Sequence, residues 1–290
     1  MADDTPQPAY SPPLDKLLSY GDCREIPDWP DYLELGFTQE HVPELIRMAG
    51  DDALDESDDD LLFFAPIHAW RVLGQLRAEE AIRPLIDLFK KRGAKDDDWF
   101  LSDLPKAVGM IGPAAIPALV EYMADDSHGL FPRVAAINSL QEMAECHADA
   151  RDRCAAALAA RLENFEHEED VEFNAFLVAA LVDLKAREFI GVIREAYKAE
   201  AVLEGIIRWK NVRGEFNLEP REDDPISEFD EAHAQGGLPE SLDNGYRDSS
   251  FPDPYPSIPT RTVTARKKAK KRKKAKRRQA ERSRKRNRKR

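Results

Sequence analysis

Cysteine is scarce in this chain: Cys23, Cys146 and Cys154 are the only three among 290 residues. They form no even set and no Cys-x-x-Cys pair, which argues against a disulfide framework and points to a reducing compartment. No run of about 18 apolar residues is present, so no membrane insertion is expected. Met1 to Pro8 carry neither the basic nor the apolar stretch of a secretory signal, and a cytoplasmic location is expected. Catalytic motifs are missing too: there is no Gly-x-Ser-x-Gly, no phosphate loop and no dinucleotide fingerprint. A non-enzyme is therefore expected, with no cofactor. Alternating strand patterns are nearly absent, which leaves an all-α class.

What the chain has in excess is charge, unevenly divided. The net charge of −12 comes from 43 Lys/Arg against 55 Asp/Glu. Of those bases, 18 fall between Arg266 and Arg290, beside a single acid, Glu281. This segment carries +17, and the other 265 residues, with 25 bases and 54 acids, carry −29. The division says more about partners than the average does.

Along the chain, residues 1–13 are rich in Pro and Asp and are expected to be disordered. Residues 14–60 read as an N-terminal helical cap followed by an acidic loop. Within them Thr38 with Glu40 and His41 marks a helix start, short of a full capping box. The loop, Asp51 to Asp60, holds seven carboxylates. Residues 61–215 then repeat. Leu73-Gly-Gln-Leu-Arg-Ala-Glu-Glu-Ala-Ile-Arg-Pro-Leu85 matches Leu181-Val-Asp-Leu-Lys-Ala-Arg-Glu-Phe-Ile-Gly-Val-Ile193 in character, 108 residues later. Val108-Gly-Met-Ile-Gly-Pro-Ala-Ala-Ile-Pro-Ala-Leu119 falls 35 residues after the first. A less regular unit runs through Ala135–Met143 and Cys154–Leu162. Each unit reads helix, tight turn, helix, giving four pairs over 61–200, with 201–213 closing the far end. Such a period predicts an α-solenoid, because one helix pair cannot bury its apolar face alone. Residues 216–264, rich in Pro, Asp, Glu, Gly and Ser, are expected to be a disordered linker, and 265–290 a polybasic tail.

The Leu-Gly-x-Leu-x-Ala…Pro-Leu rhythm of 73–85 resembles HEAT-like repeats, including those called PBS-lyase repeats. Pro30–Gly36, Ala65–Leu76, Gly109–Leu119 and Ala180–Ala186 are similar to an uncharacterised bacterial HEAT-like family, over about residues 14–215. The resemblance implies a HEAT-like α-solenoid and no established activity. Some relatives end in a SEC-C zinc motif, which needs cysteines that this chain lacks after Cys154. PBS-lyase relatives attach bilins to phycobiliproteins, so a bilin lyase or chaperone-lyase is the alternative function that the resemblance implies.

The tail supplies the main candidate binding residues: Arg266, Lys267, Lys268, Lys270, Lys271, Arg272, Lys273, Lys274, Lys276, Arg277 and Arg278, then Arg282, Arg284, Lys285, Arg286, Arg288, Lys289 and Arg290. Mutual repulsion keeps such a run unfolded alone, and phosphates neutralise it with release of counterions. No aromatic residue is interleaved for base stacking, so binding without sequence preference is expected, with RNA or the ribosome as partner. An acidic protein or membrane patch, and the protein's own acidic body, are the competing partners. The body itself, at −29, repels phosphate.

Trp29, Tyr32 and Trp99 are candidate protein-binding residues, because Trp and Tyr are enriched at binding hot spots. Trp70, in the apolar stretch Leu61–Leu76, reads as core. Metal ligation is not expected. Cys146, His147 and Cys154 straddle a turn, His167-Glu168 is a single His-Glu pair, and Asp51–Asp60 lacks the Gly and the terminal Glu of an EF-hand. The expectation is a monomeric adaptor whose body holds an unidentified protein partner and whose tail holds a polyanion.

Overall fold

The computed structural model describes residues 10–26, 28–93, 101–167 and 170–225. Among them every regular element is helical. In chain order these are α1 Val42–Ala49, α2 Asp52–Asp55, α3 Asp60–Gln75, α4 Ile82–Gly93, α5 Asp103–Ile111, α6 Ile116–Ala124, α7 Leu130–Cys146, α8 Arg151–Leu162, α9 Val171–Asp183, α10 Ile190–Lys198 and α11 Trp209–Glu215. Short 3-10 turns link them. No single helix among the described residues is long and apolar enough to cross a membrane.

The turns after α3 and α9 share one hydrogen-bond pattern. After α3, Arg77 adopts a left-handed φ of 51°, and Ala78 N–H donates to Leu73 O at 3.2 Å. After α9, Lys185 has φ 54°, and Ala186 N–H donates to Leu181 O at 2.9 Å. These are Schellman-type ends on the two matched segments, satisfying carbonyls that the helix leaves open. At the middle position the strain falls on Gly112, with φ +113°, where glycine has no Cβ to clash.

Helices α1, α3, α5, α7 and α9 pack successively against one another, and α4, α6 and α8 form a second row, with α10 against α8. Two glycines one repeat apart set the closest approaches. A Cβ on Gly74 would meet the Ala107 backbone at 3.0 Å, and one on Gly109 would meet Glu142 Cβ at 2.7 Å and Met143 N at 2.8 Å. Helix α9 is buried on every side from Phe173 to Val182, as its apolar composition requires. Trp70 is core, its indole N–H donating to Ala49 O at 3.0 Å.

Several boundaries differ from the sequence expectation. Tyr10, inside the segment expected to be disordered, is buried; its hydroxyl donates to Asp51 Oδ2 at 2.7 Å, and the Arg47 guanidinium lies 3.9 Å from its ring centroid. The expected acidic loop holds α2, and its carboxylates have structural roles. Asp51 accepts from Ala53 N–H, Asp59 accepts from Leu61 N–H, Asp55 pairs with Arg92 in the core, and Asp52 pairs with Lys91. Carboxylates at helix starts meet open N–H groups and the positive end of the dipole. His41 Nδ1 accepts from Thr38 N–H at 3.0 Å, completing a reciprocal cap. The body also runs past residue 215. Phe216 is buried, and Asp224 sits 3.4 Å from Arg194 and 3.8 Å from Arg213. The rest of the expected linker and the tail 265–290 lie outside the described residues.

Candidate functional site

Two groups of titratable side chains stand out, both on the row of α3, α5, α7 and α9. The first is sealed beneath the N-terminal segment. His68 of α3 is fully buried; its Nδ1 is 2.6 Å from the Tyr32 hydroxyl, and its Nε2 is 3.0 Å from Gly21 O. Cys23 Sγ lies 3.5 Å from His68 Nε2, and the Tyr20 ring meets the imidazole edge-on. One turn along α3, Arg71 Nε donates to Asp103 Oδ1 of α5 at 2.6 Å, and Arg71 also reaches Ile26 O. Burial pushes the Cys23 thiol up to about 12 and the His68 imidazole down to about 4. Both are neutral at neutral pH. A thiol and an imidazole in contact suggest nucleophilic chemistry, but activation needs a thiolate, and burial disfavours it here. This group fastens Gly21, Cys23, Ile26 and Tyr32 onto α3.

The second group is open. The last turns of α3, α5 and α7 end at a groove of about 420 Å³, lined by Asp31, Leu33, Gly74, Gln75, Arg77, Met110, Cys146 and His147. His147 Nε2 lies 3.1 Å from Met110 O, and its ring rests against Gly112. Back along α7 from Cys146 stand Glu145 and Glu142, and across from them Asp183 of α9 accepts a bond from Gln141 Nε2 at 3.0 Å. Burial first, and then the neighbouring Glu145, raise Glu142 to about 7. Burial likewise raises Asp183 to about 6, partly offset by Gln141 and Lys185. No ion pair reaches Glu142, Glu145 or Asp183 among the described residues. Buried carboxylates elsewhere have arginines: Asp55 with Arg92, Asp103 with Arg71, Asp224 with Arg194.

The sequence candidates are dispersed by the fold. Tyr32, expected on a binding surface, is 0% exposed, because its ring fills the space between Tyr20 and His68; this corrects the expectation. Trp29 is half-buried, with Arg71 and Lys106 cations 5.1 and 4.9 Å from its ring centroid. Trp99, Glu168 and the eighteen tail residues from Arg266 to Arg290 lie outside the described residues. Cys146 is exposed at the end of α7 while Cys154 is buried in α8. No group of three or more His, Cys, Asp or Glu is placed to hold a metal among the described residues.

The residues that sequence reasoning missed follow the repeat. His68, Asp103, Asn138 and Asn174 are buried polar groups at intervals of 35, 35 and 36 residues, one on each of α3, α5, α7 and α9. Three of them bond loop carbonyls: His68 to Gly21, Asn138 to Leu101 at 3.2 Å, and Asn174 to Ala201 at 3.0 Å.

The fold and these two groups define an all-helical protein built from repeatedly packed helices. The chain belongs to the family described as "Protein of unknown function (DUF1186)", whose model matches residues 36–235. No curated protein matches the chain, and neither does any solved structure.

Proposed function

We propose that this protein is a non-enzymatic adaptor. Its body is a HEAT-like α-solenoid of the PBS-lyase repeat kind that holds a protein partner, and its polybasic tail binds RNA, the ribosome or another polyanion without sequence preference. The observation that carries this reading is the division of charge, −29 over residues 1–265 against +17 over 266–290. A segment so dense in Lys and Arg, with no aromatic among them, binds phosphate through counterion release and reads no base. Recurrent left-handed ends at Arg77 and Lys185 and successive packing of α3, α5, α7 and α9 support the repeat reading. The neutral, buried state of Cys23 and His68 supports a non-catalytic role for the one thiol–imidazole contact described.

The test compares the full chain with a chain lacking 265–290 for binding to a fluorescent single-stranded RNA at rising salt. The full chain binds, and its log affinity falls linearly with log salt at roughly −0.7 per phosphate contacted. Deletion abolishes binding. Unchanged affinity after deletion removes the tail from the mechanism.

A further inference from the structure

We infer that the segment Tyr20–Ile26 is a strap over α3 that acid releases, with the His68 imidazole as its catch. The inference stands apart from the tail and from the adaptor reading, since it concerns a conformational device in the body alone.

What holds the strap decides how it opens. Tyr20–Ile26 contains one 3-10 turn, Cys23–Glu25, and no α-helix. Cys23 is its buried side chain; Tyr20, Asp22 and Ile26 are half-buried, and Glu25 is exposed. The chain just before it is anchored differently, by Leu14 and Leu17, each 0% exposed. Apolar burial of that kind carries no titration. The strap instead hangs on polar contacts from one face of α3. His68 Nε2 donates to Gly21 O at 3.0 Å, Arg71 Nη1 donates to Ile26 O at 3.0 Å, and Cys23 Sγ sits 3.5 Å from the imidazole. Positions 68 and 71 are three apart, so both side chains leave the helix on the same side. A segment with few buried apolar groups opens at lower free energy than the whole fold.

The bonds at His68 suit a neutral ring. Nε2 faces a carbonyl, which only accepts, so the ring proton sits there and Nδ1 is the acceptor. The Tyr32 hydroxyl, 2.6 Å from Nδ1, therefore donates to it. A second proton on Nδ1 would point at that hydroxyl, whose oxygen already faces the Arg71 guanidinium. The hydroxyl would lose its acceptor, and two cations would share one buried space. Among the described residues, the titratable and charged groups facing the imidazole are Arg71 of its own helix, Tyr20, Asp22 and Cys23 of the strap, and Tyr32. From α5, Asp103 lies behind Arg71 and is engaged by it at 2.6 Å. Burial is the largest influence and holds the imidazole down to about 4, against the Gly21 carbonyl and Asp22, which favour a charge. Lifting the strap returns water to the ring and its value toward 6.5. The closed form thus has the lower value, so closure is complete above 6.5 and is lost as pH falls toward about 4. Opening bares the imidazole, the Arg71–Asp103 pair and the Cys23 thiol together.

The three cysteines separate local from global opening: Cys146 is exposed, Cys23 is buried under the strap, and Cys154 is buried in α8. The experiment follows modification of each thiol in the full chain by dithiodipyridine, an aromatic disulfide that reacts in acid as well as at neutral pH. Peptide mass spectrometry resolves the sites, and rates are normalised to the urea-unfolded chain at each pH. Between about pH 7.5 and about pH 5 the normalised rate at Cys23 is expected to rise about 25-fold. It should stay well above the rate at Cys154 throughout, while Cys146 changes little. His68→Gln should remove the rise, and Asp22→Asn should keep it. If His68→Gln does not fold by circular dichroism, an NMR titration of His68 in the parent chain serves, with a folded value well below 6.5 expected. The inference is overturned if Cys23 and Cys154 are modified at one rate, which means global unfolding, or if the Cys23 rate ignores pH. Loss of the rise in Asp22→Asn, or a folded His68 that titrates near 6.5, overturns it as well.

Discussion

The body contains two titratable groups on one row of packed helices, the first on α3 and α5 and the second on α7 and α9, and they differ in what completes them. Around His68 and Arg71 every charge has a partner and the N-terminal segment closes the top. Around Glu142 and Asp183 the carboxylates are partly desolvated, and among the described residues no ion pair reaches them, although Lys106 faces the first and Lys185 the second. Buried polar groups that are fully paired hold a structure together, whereas partly buried charges without an ion pair cost stability. The sealed group therefore reads as an anchor for the N-terminal segment, and the open one has no such closure.

The largest way to break that contrast is Asp103→Ala. It leaves the Arg71 guanidinium buried without its carboxylate, and a loss of about 3–5 kcal/mol is expected in urea unfolding at neutral pH. An effect below about 1 kcal/mol would mean that water or a backbone carbonyl replaces the pair. Next in size is the pH dependence of His68. Its folded value is depressed to about 4, so its contribution is present above the unfolded value near 6.5 and is lost as pH falls toward about 4. About 2–3 kcal/mol of stability should vanish across that window, and His68→Gln should remove most of the slope. The same slope in the variant would assign acid sensitivity elsewhere. The smallest effect has the opposite sign. Glu142 is raised to about 7, so its ionisation destabilises the fold as pH rises from about 4.5 through 7. Glu142→Gln should raise stability by roughly 1 kcal/mol at pH near 8 and change little near pH 4.5, read as a shift in melting temperature.

Much of the body was legible before the structure. The match of Leu73–Leu85 with Leu181–Ile193 pointed to equivalent turns, and the left-handed residues Arg77 and Lys185 occupy equivalent places in them. That works because helix pairs are local, and a period in sequence is a period in space. The fate of the segment before the repeats was not legible. Tyr32 reaches His68 across 36 residues and Cys23 reaches it across 45, with no shared period to announce either contact. The seven carboxylates of 51–60 looked like a solvated loop, because composition alone does not distinguish a free aspartate from one capping a helix or facing Arg92. The open carboxylates were hidden for a related reason. Glu142 looks like part of any solvated helix face until α5 is seen to approach α7 at Gly109 and take part of the water away from it, while Glu145 stays exposed.

By itself the sequence determined the helical class, the repeated helix–turn–helix unit and the separation of −29 from +17, since each depends on neighbours in the chain or on simple addition of charge. Only the tertiary structure decided which polar residues are sealed and which stay open. Desolvation and pairing depend on what other helices bring within a few ångströms, and the close passage at Gly109 together with the folded-back segment at Tyr32 set both.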